Sequence, residues 1–142
     1  MAEAYLVDPK RSAMMARIGS RDTAPELSVR RSLHRLGYRF RLHRRDLPGR
    51  PDITLPRHRT VVFVHGCFWH RHPNCRYAYT PKSRTEFWIR KFEQNVARDE
   101  RVQRELKARG WNVITIWECE TFDADRLESR IRGLLRHNRR MQ

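Results

Sequence analysis

The segment VVFVHGCFWHRHPNC, residues 61–75, joins an apolar run to a cluster of histidines, thiols and aromatic rings. Its first four residues are β-branched or aromatic, which is the composition of a buried strand. Gly66 follows soon after this run, and glycine accepts backbone angles that other residues avoid. The segment therefore predicts a core strand that presents reactive side chains at its end.

Cys67, His72 and Cys75 have the spacing C-x4-H-x2-C, and thiolate and imidazole ligands suit tetrahedral zinc. The segment itself lacks a fourth ligand. Cys119 follows a second candidate strand, residues 112–117, and could complete the set from a neighbouring strand end. Four protein ligands leave no open position, so we expect a structural Zn²⁺ rather than a catalytic one. The alternative is that all three cysteines are buried free thiols.

The composition limits the class of protein. A chain of this length suits one domain over residues 1–142, with a basic N-terminal arm at residues 1–20 and a frayed basic tail at residues 136–142. Its 31 Lys and Arg residues against 16 Asp and Glu residues give a formal net charge of +15, so the expected partner is a polyanion. We find no membrane-spanning run and no signal-peptide pattern, and an odd number of cysteines excludes a fully paired disulfide framework. These features favour a soluble cytoplasmic protein.

Periodicity and turn residues predict an α/β fold. The segment from Thr23 to Glu26 has the form of a capping box and predicts a helix over residues 24–36, with Gly37 as its stop. The other predicted elements are strands at residues 38–43, 52–55, 61–64 and 112–117, a helix within residues 81–110, and a final helix capped by Asp123. This order predicts a three-layer sandwich, in which a mixed central sheet carries helices on both faces.

Two further side chains are candidates for catalysis. Asp52 stands where the rigid loop LPGRPD, residues 47–52, becomes a strand. A turn-forming Asp is the ordinary interpretation of that position, but the neighbouring strand with His65 and His70 favours a functional carboxylate. His70 lies between the predicted zinc ligands, and an imidazole suits a general base, although a lone histidine is more often polar surface.

Phe68 and Trp69 directly follow a predicted zinc ligand, on a loop that a metal would hold rigid. Such rings can wedge between base steps that a mismatch has already weakened. Packing over the zinc site or in the core is the ordinary alternative. Trp88 belongs either to the apolar stripe of its predicted helix or to the same binding surface.

Several motifs together resemble the very short patch repair (Vsr) family of DNA mismatch endonucleases. They are LPGRPD at residues 47–52, HGCFWH at 65–70, RTEFW at 84–88, NV at 95–96 and WEC at 117–119. The resemblance covers residues 12–119 and implies a restriction-endonuclease-like fold. It also implies a Mg²⁺-dependent enzyme with a structural zinc, which nicks duplex DNA on the 5′ side of the thymine in a T:G mismatch. We expect such an enzyme to act as a monomer at the nucleoid, with mismatch-repair proteins as further partners.

The resemblance also assigns roles to individual residues. Asp52 and the main-chain carbonyl of Val64 match the Mg²⁺ site. His70 matches the general base, and His65 matches a supporting catalytic histidine. Glu26 matches an acidic residue near the site, although the capping box explains it equally well. The residues that match the zinc ligands are Cys67, His72, Cys75 and Cys119, and those that match rings entering the duplex are Phe68, Trp69 and Trp88.

Two other classes of protein stay open on the sequence alone. A zinc-stabilised DNA-binding module without catalysis would share the charge, the zinc ligands and the aromatic rings. It would not need Asp52 and His70 at adjacent strand ends. An RNA-binding module would use the same rings as stacking platforms.

Overall fold

The computed structural model describes residues 22–141, with side chains as far as residue 136. The basic arm predicted for residues 1–20 lies outside this range. The described elements are helix α1 (Ala24–Arg35), strands β1 (Arg41–Leu42), β2 (Ile53–Leu55) and β3 (Thr60–His65), helix α2 (Thr85–Ala108), strand β4 (Asn112–Trp117) and helix α3 (Ala124–Met141). Short 3-10 helices follow β2 (Pro56–His58) and β4 (Glu118–Thr121). None of the described helices combines the length and the apolar character that crossing a bilayer requires.

The strands of the described chain form one mixed sheet in the order β1-β2-β3-β4. β1, β2 and β3 pair antiparallel, whereas β4 runs parallel to β3. A parallel neighbour needs a crossover connection, and α2 supplies it. The register sets His65 beside Trp117 at the carboxyl ends of β3 and β4. The segments that follow both strands therefore leave the sheet at the same edge.

Helices pack on both faces of this sheet, as predicted. Alternate residues of a strand face opposite sides, and Val61 and Val62 of β3 do so here. Val62 packs in a cluster that joins α1, α3 and three strands, formed with Val29, Leu33, Ile53, Leu55, Ile114, Ile116, Leu127, Ile131 and Leu135. Val61 packs on the other face with Leu47, Phe63 and Leu106 of α2. Burying each large apolar side chain contributes about 1.5–3 kcal/mol, so these two clusters hold the strand ends in place.

Helix α1 begins as its capping sequence predicts, with one difference. The Glu26 amide donates to Thr23 Oγ1 at 3.3 Å. The Glu26 carboxylate accepts from the Asp22 amide at 2.6 Å rather than from the amide of Thr23, which the capping box predicted. The helix ends where Gly37 adopts a φ of +85°, in the left-handed region that glycine tolerates.

The first strand is shorter than its sequence alternation predicts. The prediction covered residues 38–43, but only Arg41 and Leu42 pair with β2. Tyr38 and Phe40 are partly buried against the core, and Leu42 is 40% exposed. Because β2 itself has three residues, a longer partner strand would find few amides and carbonyls to pair with.

The two later helices also differ in extent from the prediction. α2 begins at Thr85 rather than near residue 81, because Arg84 adopts a left-handed conformation with a φ of +55° and interrupts the helical path. α3 begins after Asp123, whose carboxylate accepts from the first amides of the helix, and it continues to Met141. The basic segment from residue 136, which was predicted to fray, is part of this helix as far as Met141. Its arginines are good helix formers.

Candidate active site

Asp52 stands immediately before β2 and lines a cleft of about 370 Å³. Its Oδ2 accepts a hydrogen bond of 2.8 Å from the Val64 amide on β3. Burial raises the pKa of Asp52 to about 6, although the Val64 amide, His43 and His70 favour the ionised form. A cation bound beside this carboxylate would stabilise its ionised form and offset the cost of its desolvation.

The same cleft gathers the residues predicted to act in catalysis. Its lining includes Glu26, Asp52, Val64, His65 and His70. They come from α1, from the position just before β2, from the end of β3 and from the loop that follows β3. Motifs that are separate in the sequence therefore meet at one site.

His65 and His70 stack face to face. Their ring centroids lie 3.8 Å apart and their planes are inclined by 6°. Burial lowers the pKa of His65 to about 3, and the nearby charge of His70 acts in the same direction. His65 is therefore neutral near pH 7, and it supports the His70 ring as a flat surface.

His70 has a carboxylate partner that the sequence analysis missed. Asp99 Oδ2 on α2 lies 2.7 Å from His70 Nδ1. An ionised carboxylate only accepts hydrogen bonds, so Nδ1 carries the proton in the neutral ring and Nε2 is the basic nitrogen. Asp99 follows Asn95 by one helical turn, and Asn95 Nδ2 donates to the main-chain oxygen of Trp69 at 3.0 Å. Residues four positions apart share one helix face, so Asn95 and Asp99 both reach the HGCFWH loop from α2.

Glu26 is 2% exposed and serves both the helix cap and the cleft. Its Oε1 accepts from His43 Nε2 at 2.7 Å and lies 3.1 Å from an Arg30 nitrogen. Its Oε2 accepts from the Asp22 amide. The sequence left capping and site roles as alternatives, whereas in the structure one side chain closes the first turn of α1 and also lines the cleft with Asp52.

Arginines add positive charge to the cleft. Arg45, Arg50 and Arg98 line it together with the carboxylates and imidazoles. A guanidinium group presents its donors in a fork that matches phosphate oxygens. The cleft therefore brings together a general-base candidate, the carboxylates of Glu26 and Asp52, and guanidinium groups of a kind that suits phosphate.

The four predicted zinc ligands converge. The ligand atoms of Cys67, His72, Cys75 and Cys119 all lie within 4.8 Å of one another. Nδ1 of His72 is 3.7 Å from the Cys67 sulfur and 3.5 Å from the Cys119 sulfur. A tetrahedron with Zn–S bonds of about 2.3 Å and Zn–N bonds of about 2.0–2.1 Å has edges of roughly 3.5–3.8 Å. The donor set and its spacing therefore fit a tetrahedral Zn²⁺.

Trp117 links this thiol cluster to the cleft. It stacks on His72 with ring centroids 4.3 Å apart and contacts the edge of His65 at 5.4 Å. Burial raises the pKa of Cys67 to about 12 and also raises the pKa of Cys119. A metal would take up these thiols as thiolates and release their protons, because the thiolate is the ligand form.

Phe68, Trp69 and Trp88 form one aromatic cluster, with centroids 5.0 to 5.8 Å apart. Phe92 of α2 supports it from the core side, 5.1 Å from Phe68. The three rings of the cluster are half-buried, whereas Phe92 is 5% exposed. Phe87, which the sequence analysis did not single out, lies beside Trp88 and is 47% exposed. The rings are therefore neither core residues nor isolated on the surface, but form a partly open stacking face.

Comparisons with known proteins agree with one another. The family model described as DNA mismatch endonuclease Vsr matches residues 5–76. The chain is 52% identical over 126 residues to the type II nicking enzyme V.XorIIP of Xanthomonas oryzae pv. oryzae, across 89% of this chain and 92% of the relative. It is 42% identical over 127 residues to the type II nicking enzyme V.NmeAIP of Neisseria meningitidis serogroup A, across 89% and 90%. It is 43% identical over 117 residues to the DNA mismatch endonuclease Vsr of Escherichia coli K12, across 82% and 74%.

Proposed function

This chain belongs to the Vsr family of DNA mismatch endonucleases, and on that basis we propose that it recognises T:G mismatches in duplex DNA and nicks the strand on the 5′ side of the mismatched thymine. The nick would initiate very short patch repair. We interpret the mixed sheet and its helices as a restriction-endonuclease-like core. The proposed enzyme acts as a monomer on DNA in the bacterial cytoplasm, at the nucleoid, with mismatch-repair proteins as further partners.

One observation carries the catalytic part of this proposal. His70, whose Nδ1 is held by Asp99, lines the same cleft as the partly buried carboxylate of Asp52. A protein that only binds DNA does not need an oriented imidazole beside a desolvated carboxylate. An enzyme that hydrolyses a phosphodiester bond needs both a base for water and an anionic group to hold a metal.

In the proposed reaction His70 Nε2 takes a proton from the attacking water. The water oxygen forms a bond to phosphorus as the bond from phosphorus to the leaving oxygen breaks. Asp99 accepts from Nδ1 and so stabilises the imidazolium that forms, in the manner of the carboxylate of a catalytic triad. A positioned general base contributes about 10²–10⁴-fold to the rate.

Asp52 and the main-chain carbonyl of Val64 would hold Mg²⁺ in this cleft. When bound, Mg²⁺ supplies Lewis-acid polarisation of the scissile phosphate. The donors fit this ion, because Mg²⁺ prefers oxygen ligands and retains several waters, to which the Glu26 carboxylate can also hydrogen-bond. The neutral ring of His65 stacks on His70 and supports it.

Cys67, His72, Cys75 and Cys119 would hold a structural Zn²⁺, and their convergence is the support for this assignment. Such a site would fix the loop after β3 against the segment after β4. With four protein ligands it has no open position, so we assign it no step in the reaction.

Phe68, Trp69 and Trp88 are the proposed wedge into the duplex. Inserting side chains partially unstacks a base step at a cost of about a few kcal/mol, and a mismatched step costs least. Their partly open cluster supports this role, and the net charge of +15 supplies sequence-independent attraction to the backbone. Selection of the mismatch and attraction to DNA would thus rest on different residues.

The main alternative is a zinc-stabilised DNA-binding module without catalysis. Both hypotheses are tested by incubating end-labelled duplexes that carry T:G in varied sequence contexts with the protein and Mg²⁺, then mapping any nick. Matched duplexes and an RNA duplex serve as controls. A nick 5′ to the thymine that depends on the mismatch supports the proposal. Tight T:G binding without a nick supports the alternative, and equal nicking of matched DNA contradicts the proposed specificity.

A further inference from the structure

His43 connects the backbone of the segment that carries Asp52 to the buried carboxylate of Glu26. Its main-chain amide donates to the Asp52 carbonyl oxygen at 3.1 Å. Its Nε2 donates to Glu26 Oε1 at 2.7 Å. His43, the residue directly after β1, therefore contacts two separate elements. Its backbone binds the segment that carries Asp52, and its side chain binds helix α1.

The backbone of His43 is unusual for a residue with a side chain. Its φ is +50°, in the left-handed region that non-glycine residues seldom occupy. Such a conformation persists only where the surroundings over-determine it. Here the amide and the imidazole are both engaged, and the left-handed turn aims them at different elements, Asp52 on one side and Glu26 on the other.

Glu26 reaches the cleft in one orientation because donors surround it. Arg30 approaches Oε1 at 3.1 Å, and the Asp22 amide donates to Oε2 at 2.6 Å. Both of these partners belong to α1 or to the residues just before it, so they fix Glu26 only relative to its own helix. Among the contacts above, His43 is the one that relates the Glu26 carboxylate to the strand side of the cleft.

We propose that His43 is a positioning residue that sets the Glu26 carboxylate relative to Asp52, so that the pair faces a divalent cation in the cleft. This inference rests on the proposed function, which supplies the cation and the phosphodiester substrate. His43 itself touches neither in this scheme. Partners that orient metal-binding groups typically change metal affinity or activity by about 10–100-fold when they are removed.

Three substitutions separate the side-chain contact from the backbone conformation. In His43→Gln the side-chain amide nitrogen extends about as far as Nε2 and can still donate to Glu26. His43→Asn tolerates the left-handed conformation well but is too short for that contact. His43→Ala lacks both properties. In His43→Gln the Mg²⁺ concentration for half-maximal nicking should stay within about threefold of the wild-type value. In His43→Asn and His43→Ala it should rise about tenfold or more.

A second readout does not depend on turnover. Mn²⁺ binding is measured by electron paramagnetic resonance for each protein on a T:G duplex that already carries the nick and so cannot turn over. The Mn²⁺ affinities should follow the same order. Thermal melting and T:G binding without added Mg²⁺ or Mn²⁺ should be alike for all four proteins. If His43 had a purely structural role, His43→Asn and His43→Ala would melt at a lower temperature, and the Mn²⁺ affinity of the folded fraction would be unchanged.

The inference is overturned if His43→Asn binds Mn²⁺ as the wild type does, since the contact with Glu26 would then be dispensable. It is equally overturned if folded His43→Gln behaves like His43→Ala, or if the variants differ only in melting. Failure of the wild type to nick any T:G duplex would count against the proposed function alone, because the Mn²⁺ titration still decides the role of His43.

Discussion

The carboxylate of Asp99 on α2 lies 2.7 Å from Nδ1 of His70, which stands 29 positions earlier in the loop after β3. This contact ties a long helix to the loop that carries the proposed base, and it determines which imidazole nitrogen is basic. A general base acts only when that nitrogen reaches the water it deprotonates. The packing of α2 is therefore coupled to the orientation of His70.

We expect Asp99→Asn to lower kcat for nicking by about 10²–10⁴-fold with little change in KM for DNA. An amide can donate to Nδ1, which favours the tautomer whose Nε2 carries the proton and cannot act as a base. Single-turnover nicking of a T:G duplex across a pH series measures the effect. Glu100→Gln, at the next and exposed position of α2, is the matched control. Nicking by Asp99→Asn at the wild-type rate would remove Asp99 from the mechanism.

His70→Ala should abolish detectable nicking while T:G binding and zinc content stay at wild-type levels. The ring is the proposed base but is not among the four converging ligands of the thiol cluster. Gel shifts, metal analysis and a nicking assay on one preparation give the three quantities. His34→Ala removes an exposed histidine on α1 and should nick normally. Loss of zinc together with activity would instead make His70 a structural residue.

Asp52→Asn should reduce nicking by roughly 10³-fold, because several kcal/mol of metal-dependent stabilisation would be lost. The amide oxygen can still accept from the Val64 amide, so the turn before β2 should survive. We expect the variant to melt no lower than the wild type when no Mg²⁺ or Mn²⁺ is added, since a neutral group replaces a partly buried carboxyl. Nicking is measured against Mg²⁺ and Mn²⁺ concentration, and a wild-type metal dependence in the variant would contradict the assignment of Asp52.

The features that depend on local pattern could be predicted from the sequence. β3 follows from its run of β-branched residues, and the start of α1 follows from Thr23 and Glu26. The thiol cluster could be predicted because Cys67 and Cys119 follow the carboxyl ends of their strands, and those ends meet when the two strands are parallel neighbours. The prediction needed one assumption about topology, namely that β3 and β4 are neighbours in the sheet.

The features that depend on tertiary packing could not be predicted. Asp99 looks like any charged residue on a helix until α2 is docked beside the loop that carries His70. The true length of β1 depends on how many residues β2 offers as partners. The contact of His43 with Glu26 requires a left-handed backbone conformation at His43, which no pattern in the sequence predicts.

Cys119→Ser should lower zinc content and melting temperature together. The sulfur closes the cluster from the segment after β4, and incomplete ligation weakens both the metal site and the fold that it stabilises. Loss of several kcal/mol corresponds to a fall of roughly 10 °C or more at this chain length. Since all three cysteines of the chain belong to the cluster, the matched comparison is the wild type treated with a strong chelator, which should melt near the variant. Full zinc content with unchanged melting would rule out ligation by Cys119.

Replacing a ring of the aromatic cluster should reduce mismatch discrimination more than overall affinity. Trp69→Ala and Phe68→Ala remove stacking surface without changing charge, so the salt dependence of binding should stay nearly constant. The preference for T:G over matched DNA should fall by about 1–3 kcal/mol, the scale of base–aromatic stacking. Paired binding curves at several salt concentrations measure both quantities.

Trp69→Ala is the cleaner variant, because Phe68 also packs on the buried Phe92 and its loss is expected to cost stability. Phe122→Ala provides a matched control: this ring is 63% exposed and meets Tyr77 edge to face, outside the aromatic cluster. It should leave discrimination unchanged. If Trp69→Ala and Phe68→Ala fold, retain zinc and still discriminate as the wild type does, the wedge hypothesis fails for these two rings. Mismatch selection would then rest first with Trp88, which contacts both of them.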